Sequence, residues 1–387
     1  MKKNNKDIFD IDTSRQLTNN SVLCVSWCDA DDVMNYGQML QGMALMHVIR
    51  QITSGTIIYA SYYKRNFKDK IRYFIKHVNP FNGHLFAYLK TKRTLKEWTR
   101  IHNIRLLQVS CVDKMDKLAS NADVLVCGSD QIWHPQNLDK VFFLNFGSDN
   151  LWRFSYAASL PKTKIEEKFL KQFNEISNYL SRLNSISIRE ESSCKLISHL
   201  SKKEVVSVLD PTFLISKSVW ENMSQTNNKN KYIFVYIPNG MDSIVESIVL
   251  SIKEKMGIDD AYAIITRGSN LFKSVKRLKF VSLSRFLSLI HDAACIVTTS
   301  FHAVVFSLIF HKEFYCYDVL NENRGEDIRL LDLLNTVNLK NRLIDNNLFS
   351  LQKEINYDRV DSLILSKKED SLLFLQNNLV TIKNGNK

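Results

Sequence analysis

Short apolar runs rich in β-branched residues recur along the chain, separated by longer stretches in which apolar residues return every three or four positions. The short runs are SVLCVSW (21–27), TIIYASYY (56–63), DVLVCGS (123–129), RFSYAAS (153–159), SISIRE (185–190), EVVSVLD (204–210), KYIFVYI (231–237), AYAIITR (261–267), ACIVTTS (294–300) and EFYCYDV (313–319). Continuous rather than alternating apolar character marks strands covered on both faces, which is the habit of parallel sheets. The longer pattern predicts helices over Met39–Ile52, Lys162–Leu183, Asp242–Met256 and Asp361–Leu379. Strands alternating with helices place the chain in the α/β class.

At 387 residues the chain exceeds one ordinary core, and two domains are expected. Lys217–Lys231, with Ser, Gln, Asn and Lys clustered from Ser224 onward, reads as the linker. The expected units are therefore 1–217 and 218–387, the second ending in an amphipathic helix. The polar N-terminus has no signal-like apolar run, and no stretch is long and apolar enough to cross a bilayer, so a cytoplasmic location is expected. The seven cysteines are scattered, as reduced and buried thiols are. Cys24 and Cys28 lack a second ligand pair at finger-like spacing, and no metal is expected.

Charge adds a feature that hydropathy does not show. The formal net charge is +12, and the segment 64–105 alone holds twelve Lys/Arg against two acids, interleaved with seven aromatic residues. Such a segment suits an anionic membrane surface, or less well nucleic acid; a solvated helix face with its aromatics turned inward is the plainer alternative.

In open parallel sheets ligands bind beyond the carboxyl ends of strands, so the residues just past each run deserve inspection. Asn35-Tyr36-Gly37 open a helix after the first strand, where Gly37 permits close backbone approach. Gly128, Ser129, Asp130 and Gln131, followed by Trp133, combine an acid, an amide and an aromatic face, a set suited to sugar hydroxyls; an Asp130 that only caps its own turn is the equal alternative. Arg189 ends SISIRE, either as an anion ligand or as a surface partner of Glu190. Asp210 before Pro211 reads as a turn residue. In IVTTSFHAVVFSLIF, Ser300 is the expected N-cap and His302 falls in the first turn of a helix too apolar to face water. Free N–H groups gather there beside an imidazole able to deliver a proton, although a purely structural histidine remains as good a reading.

The motifs NYG, GSDQIW, YAAS, SIRE, LDPT and TSFH, in this order and followed by an apolar helix and KEFY, resemble the polysaccharide pyruvyl transferase family from about Ser21 to Leu334. The resemblance implies two Rossmann-like domains facing across a cleft, as in GT-B glycosyltransferases. It also implies transfer of a pyruvyl group from phosphoenolpyruvate to two hydroxyls of one sugar in a polysaccharide precursor, without a cofactor. The family's histidine falls on His302, its strand-end arginine on Arg189, and a further arginine on Arg329, with Arg324 close by.

On that basis His302 would act as general acid, while Arg189, Ser300 and Arg329 would hold the donor. Asp130 would take a proton from the attacking hydroxyl, and Asn35, Tyr36, Gly128, Ser129, Gln131 and Trp133 would hold the acceptor. A lipid-linked or nucleotide-linked glycan is the expected acceptor, and 64–105 would bring the enzyme to the inner membrane face. Two other readings stay open. One is a GT-B glycosyltransferase with a nucleotide-sugar donor, for which Glu322 or Glu326 would supply the nucleotide-binding carboxylate; the other is a non-catalytic protein that binds anionic glycans. Where many relatives of the family carry glycine after the histidine, this chain has Ala303.

Overall fold

The computed structural model describes residues 17–28, 35–63, 84–134, 138–160, 172–224, 231–238, 243–265, 273–278, 281–317, 328–344 and 352–380. Two sheets carry the fold. The first contains β1 (Val22–Ser26), β2 (Ile57–Tyr62), β3 (Ile104–Val109), β4 (Val124–Cys127), β5 (Trp152–Ala158), β6 (Ser185–Ile188) and β7 (Val205–Ser207) in the order 3-2-1-4-5-6-7. The second contains β8 (Ile233–Ile237), β9 (Ala261–Ile265), β10 (Lys276–Leu278), β11 (Cys295–Thr298), β12 (Glu313–Tyr317) and β13 (Leu343–Ile344) in the order 10-9-8-11-12-13. Every pairing in both sheets is parallel.

Each sheet reverses its winding direction once, between β1 and β4 in the first and between β8 and β11 in the second. Ligand crevices of doubly wound sheets open at these reversals. The chain past β4 is Gly128–Ser129–Asp130 and the chain past β11 is Ser300–Phe301–His302, so the two reversals deliver the two richest motifs of the sequence.

Three strands, β3, β10 and β13, form no apolar run in the sequence. All three are sheet edges. With one neighbour instead of two they need no continuous apolar face, and β3 (IRLLQV) carries exposed Arg105 and Gln108 between buried Ile104 and Val109.

The first helix runs Tyr36–Ile52 rather than from Met39. Asn35 is its N-cap, its side chain accepting from the Gln38 N–H. The expected linker opens as a helix, Lys217–Met223, whose Trp220 is fully buried. The last helix, Tyr357–Val380, expected to close the second unit, touches that unit through Tyr357, which donates to the Lys312 carbonyl at 2.5 Å, and also returns to the first sheet. Asn20 donates to the Leu379 carbonyl at 2.6 Å, Trp152 donates to Asn378 Oδ1 at 3.1 Å, and the Leu209 N–H donates to Ser371 Oγ at 3.0 Å.

Apolar packing is continuous between the halves. One cluster runs from Met39 and Tyr59 through Trp98 and Trp220 to Phe234, Phe286 and Phe306. Trp98 and Trp220 stack with centroids 6.3 Å apart, and Tyr36 stacks on Phe286 at 4.3 Å. Residues 64–83, the Lys162 end of an expected helix, and Glu322, Arg324 and Glu326 lie outside the described residues. No described helix is long and apolar enough to cross a membrane.

Candidate active site

Strand ends β5, β6 and β7 each deliver a polar side chain to one buried cluster. Arg189, just past β6, lies at its centre: Nη1 donates to Asp210 Oδ2 at 2.8 Å, Nη2 to Ser159 Oγ at 2.8 Å, and Nε to Glu190 Oε1 at 3.2 Å. Glu190 closes the ring by accepting from Ser159 Oγ at 2.6 Å and from the Leu160 N–H at 2.9 Å. Asp210 also accepts from the Thr212 N–H (3.1 Å), Thr212 Oγ1 (2.7 Å) and Ser129 Oγ (3.3 Å). Ser129 is itself tied to the first strand, since Ser26 Oγ donates to its carbonyl at 2.8 Å. The face of the Arg189 guanidinium lies 4.1 Å from the Phe301 ring centroid.

Arg189 is thus not the open strand-end arginine anticipated from SISIRE. Three of its N–H groups are held by protein partners, which leaves two for anything else. Burial raises both of its carboxylate partners, yet their net shifts are opposite. Burial pushes the Glu190 carboxyl up, more than Arg189, Ser159, Leu160 and Arg329 pull it down. Burial raises Asp210 as well, but His302, Arg189 and Thr212 outweigh it and hold that carboxyl well below the usual carboxylate range.

His302 joins this cluster from the other half of the molecule. It lies in the first turn of the helix Phe301–Ile309, and its Nε2 is 3.4 Å from Asp210 Oδ2, an ion-pair contact rather than a hydrogen bond. The buried Nε2 has no hydrogen-bond partner. The opposite edge of the ring abuts Gly37: a methyl group there would fall 2.1 Å from Nδ1. Two helix N-termini, Tyr36–Ile52 and Phe301–Ile309, thereby meet at one imidazole. Ser300 takes the N-cap position expected of it, but its side chain makes no capping bond, so the first-turn N–H groups receive nothing from it.

Arg329 opens the helix Ile328–Thr336. Its guanidinium carbon lies 6.0 Å from the Phe301 ring, and the Gln131 amide meets it from the other half; the amide is assigned with its oxygen toward the guanidinium, the orientation in which it accepts, since the reverse would set donor against donor. A small pocket of about 40 Å³ lies between Arg189, Asp210, Phe301 and Arg329. That is room for a few water molecules, taking ~10–15 Å³ for each.

The remaining sites expected from sequence separate into those that approach the cluster and those that do not. Ser129 reaches Asp210 and Gln131 reaches Arg329. Gly128 permits the turn, since its φ is +123° and a Cβ would fall 1.9 Å from the Tyr156 carbonyl. Asp130, at φ 79°, spends Oδ1 on the Gln131 N–H at 2.8 Å, the turn-capping alternative. Trp133 presents no face to an acceptor. It is fully buried, stacks on Phe143 and donates its indole N–H to the Phe142 carbonyl at 3.0 Å. Tyr36 is likewise buried, its hydroxyl donating to the Val281 carbonyl at 3.1 Å, so it joins the two halves instead of reading a sugar. Asn35 stays exposed as a helix cap. Among the described residues no group of three or more His, Cys, Asp or Glu is placed to hold a metal ion.

Sequence reasoning passed over Ser159, Glu190 and Asp210 as site residues. The signal was present in each case: all three sit one to three residues past a strand end, within YAAS, SIRE and LDPT.

A family model described as polysaccharide pyruvyl transferase matches residues 35–321. No curated protein matches the chain. Among solved structures, UDP-GlcNAc 2-epimerase from Neisseria meningitidis bound to UDP-GlcNAc is similar with a TM-score of 0.51 at 9% identity, over 93% of this chain and 94% of that one. A glycosyltransferase from Rickettsia africae reaches 0.48 at 10% identity over 94% of each chain. The fold is that of two Rossmann-like domains facing across a cleft, the GT-B arrangement.

Proposed function

Because the chain belongs to the polysaccharide pyruvyl transferase family, we propose that it moves a pyruvyl group from phosphoenolpyruvate onto two hydroxyls of one sugar in a surface-polysaccharide precursor. The observation that carries this reading is His302 Nε2, without a hydrogen bond yet 3.4 Å from the ionised Asp210, at a helix start that abuts Gly37 and lies near Arg329.

The chemistry asks for one acid and a stable anion site. Protonation of the donor's CH2 carbon creates an oxocarbenium-like centre, which the first sugar hydroxyl attacks. Phosphate then leaves with its bonding electrons, and the second hydroxyl attacks the same carbon. The two hydroxyl protons replace the one given to carbon and the one that phosphate takes up, so one phosphoenolpyruvate and one diol give one ketal and one phosphate. His302 supplies and recovers the proton, and Asp210 faces its Nε2 at 3.4 Å. Arg329 and the start of Phe301–Ile309 hold phosphate and carboxylate. Arg189, with three N–H groups committed, chiefly fixes Asp210 and contributes its two remaining N–H groups to the donor. Gln131 and Ser129 border the acceptor side, and no cofactor is required by these steps.

The test is a thermal-shift titration with phosphoenolpyruvate and with nucleotide sugars, on the wild type, Arg329→Gln and Arg189→Ala. A ligand that binds only the native state raises the melting temperature. Phosphoenolpyruvate is expected to raise it in the wild type and not in Arg329→Gln. A response to nucleotide sugars alone would transfer the reading to glycosyl transfer. Binding of phosphoenolpyruvate or an anionic glycan with no turnover of any acceptor, and with His302→Gln indistinguishable from wild type, would make the protein a non-catalytic binder.

A further inference from the structure

Away from this cluster, the helix His84–Ile101 shows an exposed stripe. Phe86, Leu89, Arg93, Glu97 and Ile101 follow one another at three- and four-residue steps and so share one face. Phe86 is 75% exposed, Leu89 54% and Ile101 37%. Opposite them, Val219 and Met223 of Lys217–Met223 form a second wall, with Trp98 on the floor, and the groove between encloses about 720 Å³. That volume lies in the range of small-molecule sites, and apolar side chains this exposed mark an interaction surface.

Charge selects the occupant. The helix carries Lys90, Lys92, Arg93, Lys96 and Arg100 against the single acid Glu97, which Arg100 already pairs at 2.6 Å. Lys90 and Arg93 line the groove itself. A second copy of this chain would bring the same cations against one another. A nucleic acid would satisfy the cations and leave Phe86 and Leu89 facing phosphates. An anionic bilayer satisfies both, headgroups meeting the cations and a hydrocarbon chain entering the groove. The helix also abuts the second domain, since Thr91 Oγ1 accepts from the Leu283 N–H at 3.2 Å, so a membrane on this face borders both halves of the molecule.

We propose that the groove between His84–Ile101 and Lys217–Met223 takes one acyl chain of an anionic phospholipid and so seats the protein on a bilayer. This does not rest on the pyruvyl-transfer reading, and the two can fail separately.

The experiment is flotation of the full chain with vesicles of phosphatidylcholine alone and of phosphatidylcholine mixed with phosphatidylglycerol. The wild type is expected to partition onto the mixed vesicles about ten-fold better than onto the neutral ones. Phe86→Ser/Leu89→Ser and, separately, Arg93→Glu/Lys96→Glu are each expected to lower that partition about ten-fold. Lipids brominated in the acyl chain should quench wild-type tryptophan emission and should do so less in Trp98→Phe. Equal flotation of wild type and Phe86→Ser/Leu89→Ser overturns the proposal. So does binding without acyl-chain quenching, which would mean headgroup contact alone. So does binding of RNA without flotation, or a dimer that Phe86→Ser/Leu89→Ser splits while the wild type fails to float. The phosphoenolpyruvate-induced shift is read on the same variants: its absence in the wild type counts against pyruvyl transfer and leaves the lipid groove standing.

Discussion

Replacing Gly37 by alanine adds one methyl group where the His302 ring already lies. The new Cβ would stand 2.1 Å from Nδ1, 2.4 Å from Cγ and 2.9 Å from Cβ of that side chain, whereas ordinary contact begins at 3.4 Å. The imidazole, or the helix that carries it, has to retreat by about 1.3 Å, the difference between the first and last of those distances. Retreat is hard, because His302 is buried and its own helix is buried almost throughout. Overpacking of this kind costs about 1–3 kcal/mol. Gly37 has no positive φ and sits within a helix, where alanine is intrinsically better by about 1 kcal/mol, so any loss belongs to the contact. A misplacement near 1 Å at a reacting group costs on the order of 100-fold in rate. The assay is phosphate release from phosphoenolpyruvate with a sugar acceptor, alongside urea unfolding. Gly42→Ala is the control: on the same helix its Cβ would meet Cys28 and Tyr59 at 2.9–3.0 Å, so it should lose stability and keep turnover within a few-fold. Full turnover in Gly37→Ala, or an equal loss of turnover in Gly42→Ala, would refute the claim that this glycine is reserved for the histidine.

Asp210→Asn takes the charge from a buried pair and should destabilise the protein by about 3–5 kcal/mol at neutral pH. Since the folded-state pKa of Asp210 is depressed, its contribution is complete above the ordinary carboxylate value and is lost as pH falls below about 4 toward the folded value. The gap between wild type and variant in urea unfolding should therefore narrow on acidification, and a gap independent of pH would contradict the assignment. A second buried pair, His47 and His102, lies 2.7 Å apart, and His47 is pushed down to about 3, by burial first and then by His102 and Lys368. Its stabilisation is complete above an unfolded value of about 6.5 and is lost as pH falls toward the folded value, about 2 kcal/mol of it by pH 5. His47→Gln should flatten the dependence of the urea midpoint between pH 8 and 5; an unchanged slope would show that other groups set it. Trp133→Phe leaves the Phe142 carbonyl without its donor and should cost about 1–3 kcal/mol with the acceptor KM unchanged. A raised KM at normal stability would put Trp133 in the cleft after all.

The α/β class was legible because buried parallel strands must be apolar on both faces, and β1, β4, β8 and β11 are fully buried along their lengths. β3, β10 and β13 were not legible, because an edge strand may alternate with polar residues and then resembles its loops. The same logic governs the site. His302, Ser129 and Gln131 stand out in the sequence because they follow apolar strand runs, and the structure sets those strands at the two winding reversals. Asp210 was read as a turn, and it is one, accepting from the Thr212 N–H at the start of Pro211–Leu214. That role occupies one carboxylate oxygen; the other faces Arg189 and His302. Local sequence reports the first bond, two residues away, and is silent about partners 21 and 92 positions distant in the chain. Tyr36 and Trp133 misled for the opposite reason. An aromatic near a strand end suits a sugar face or a domain core equally, and only packing distinguishes them.

Charge balance bears on how the proposed donor would be held. Glu190 and Asp210 both lean on Arg189, so attraction for an anion would come chiefly from Arg329, the uncapped start of Phe301–Ile309 and the imidazole, with Arg189 offering only its two uncommitted N–H groups. Arg329 and Phe301 border a pocket of about 40 Å³, room for a few waters only. Gly37 against His302 and Gln131 against Arg329 are contacts between the halves beside this pocket. Tyr36 and Phe286, stacked at 4.3 Å, and the helix Tyr357–Val380 join the halves elsewhere. Under the proposed function, a donor held by the Arg329 guanidinium would compete with the Gln131 amide and lie beside His302 Nε2, so Gln131→Ala should tighten phosphoenolpyruvate binding in the thermal-shift titration; unchanged binding would count against that competition.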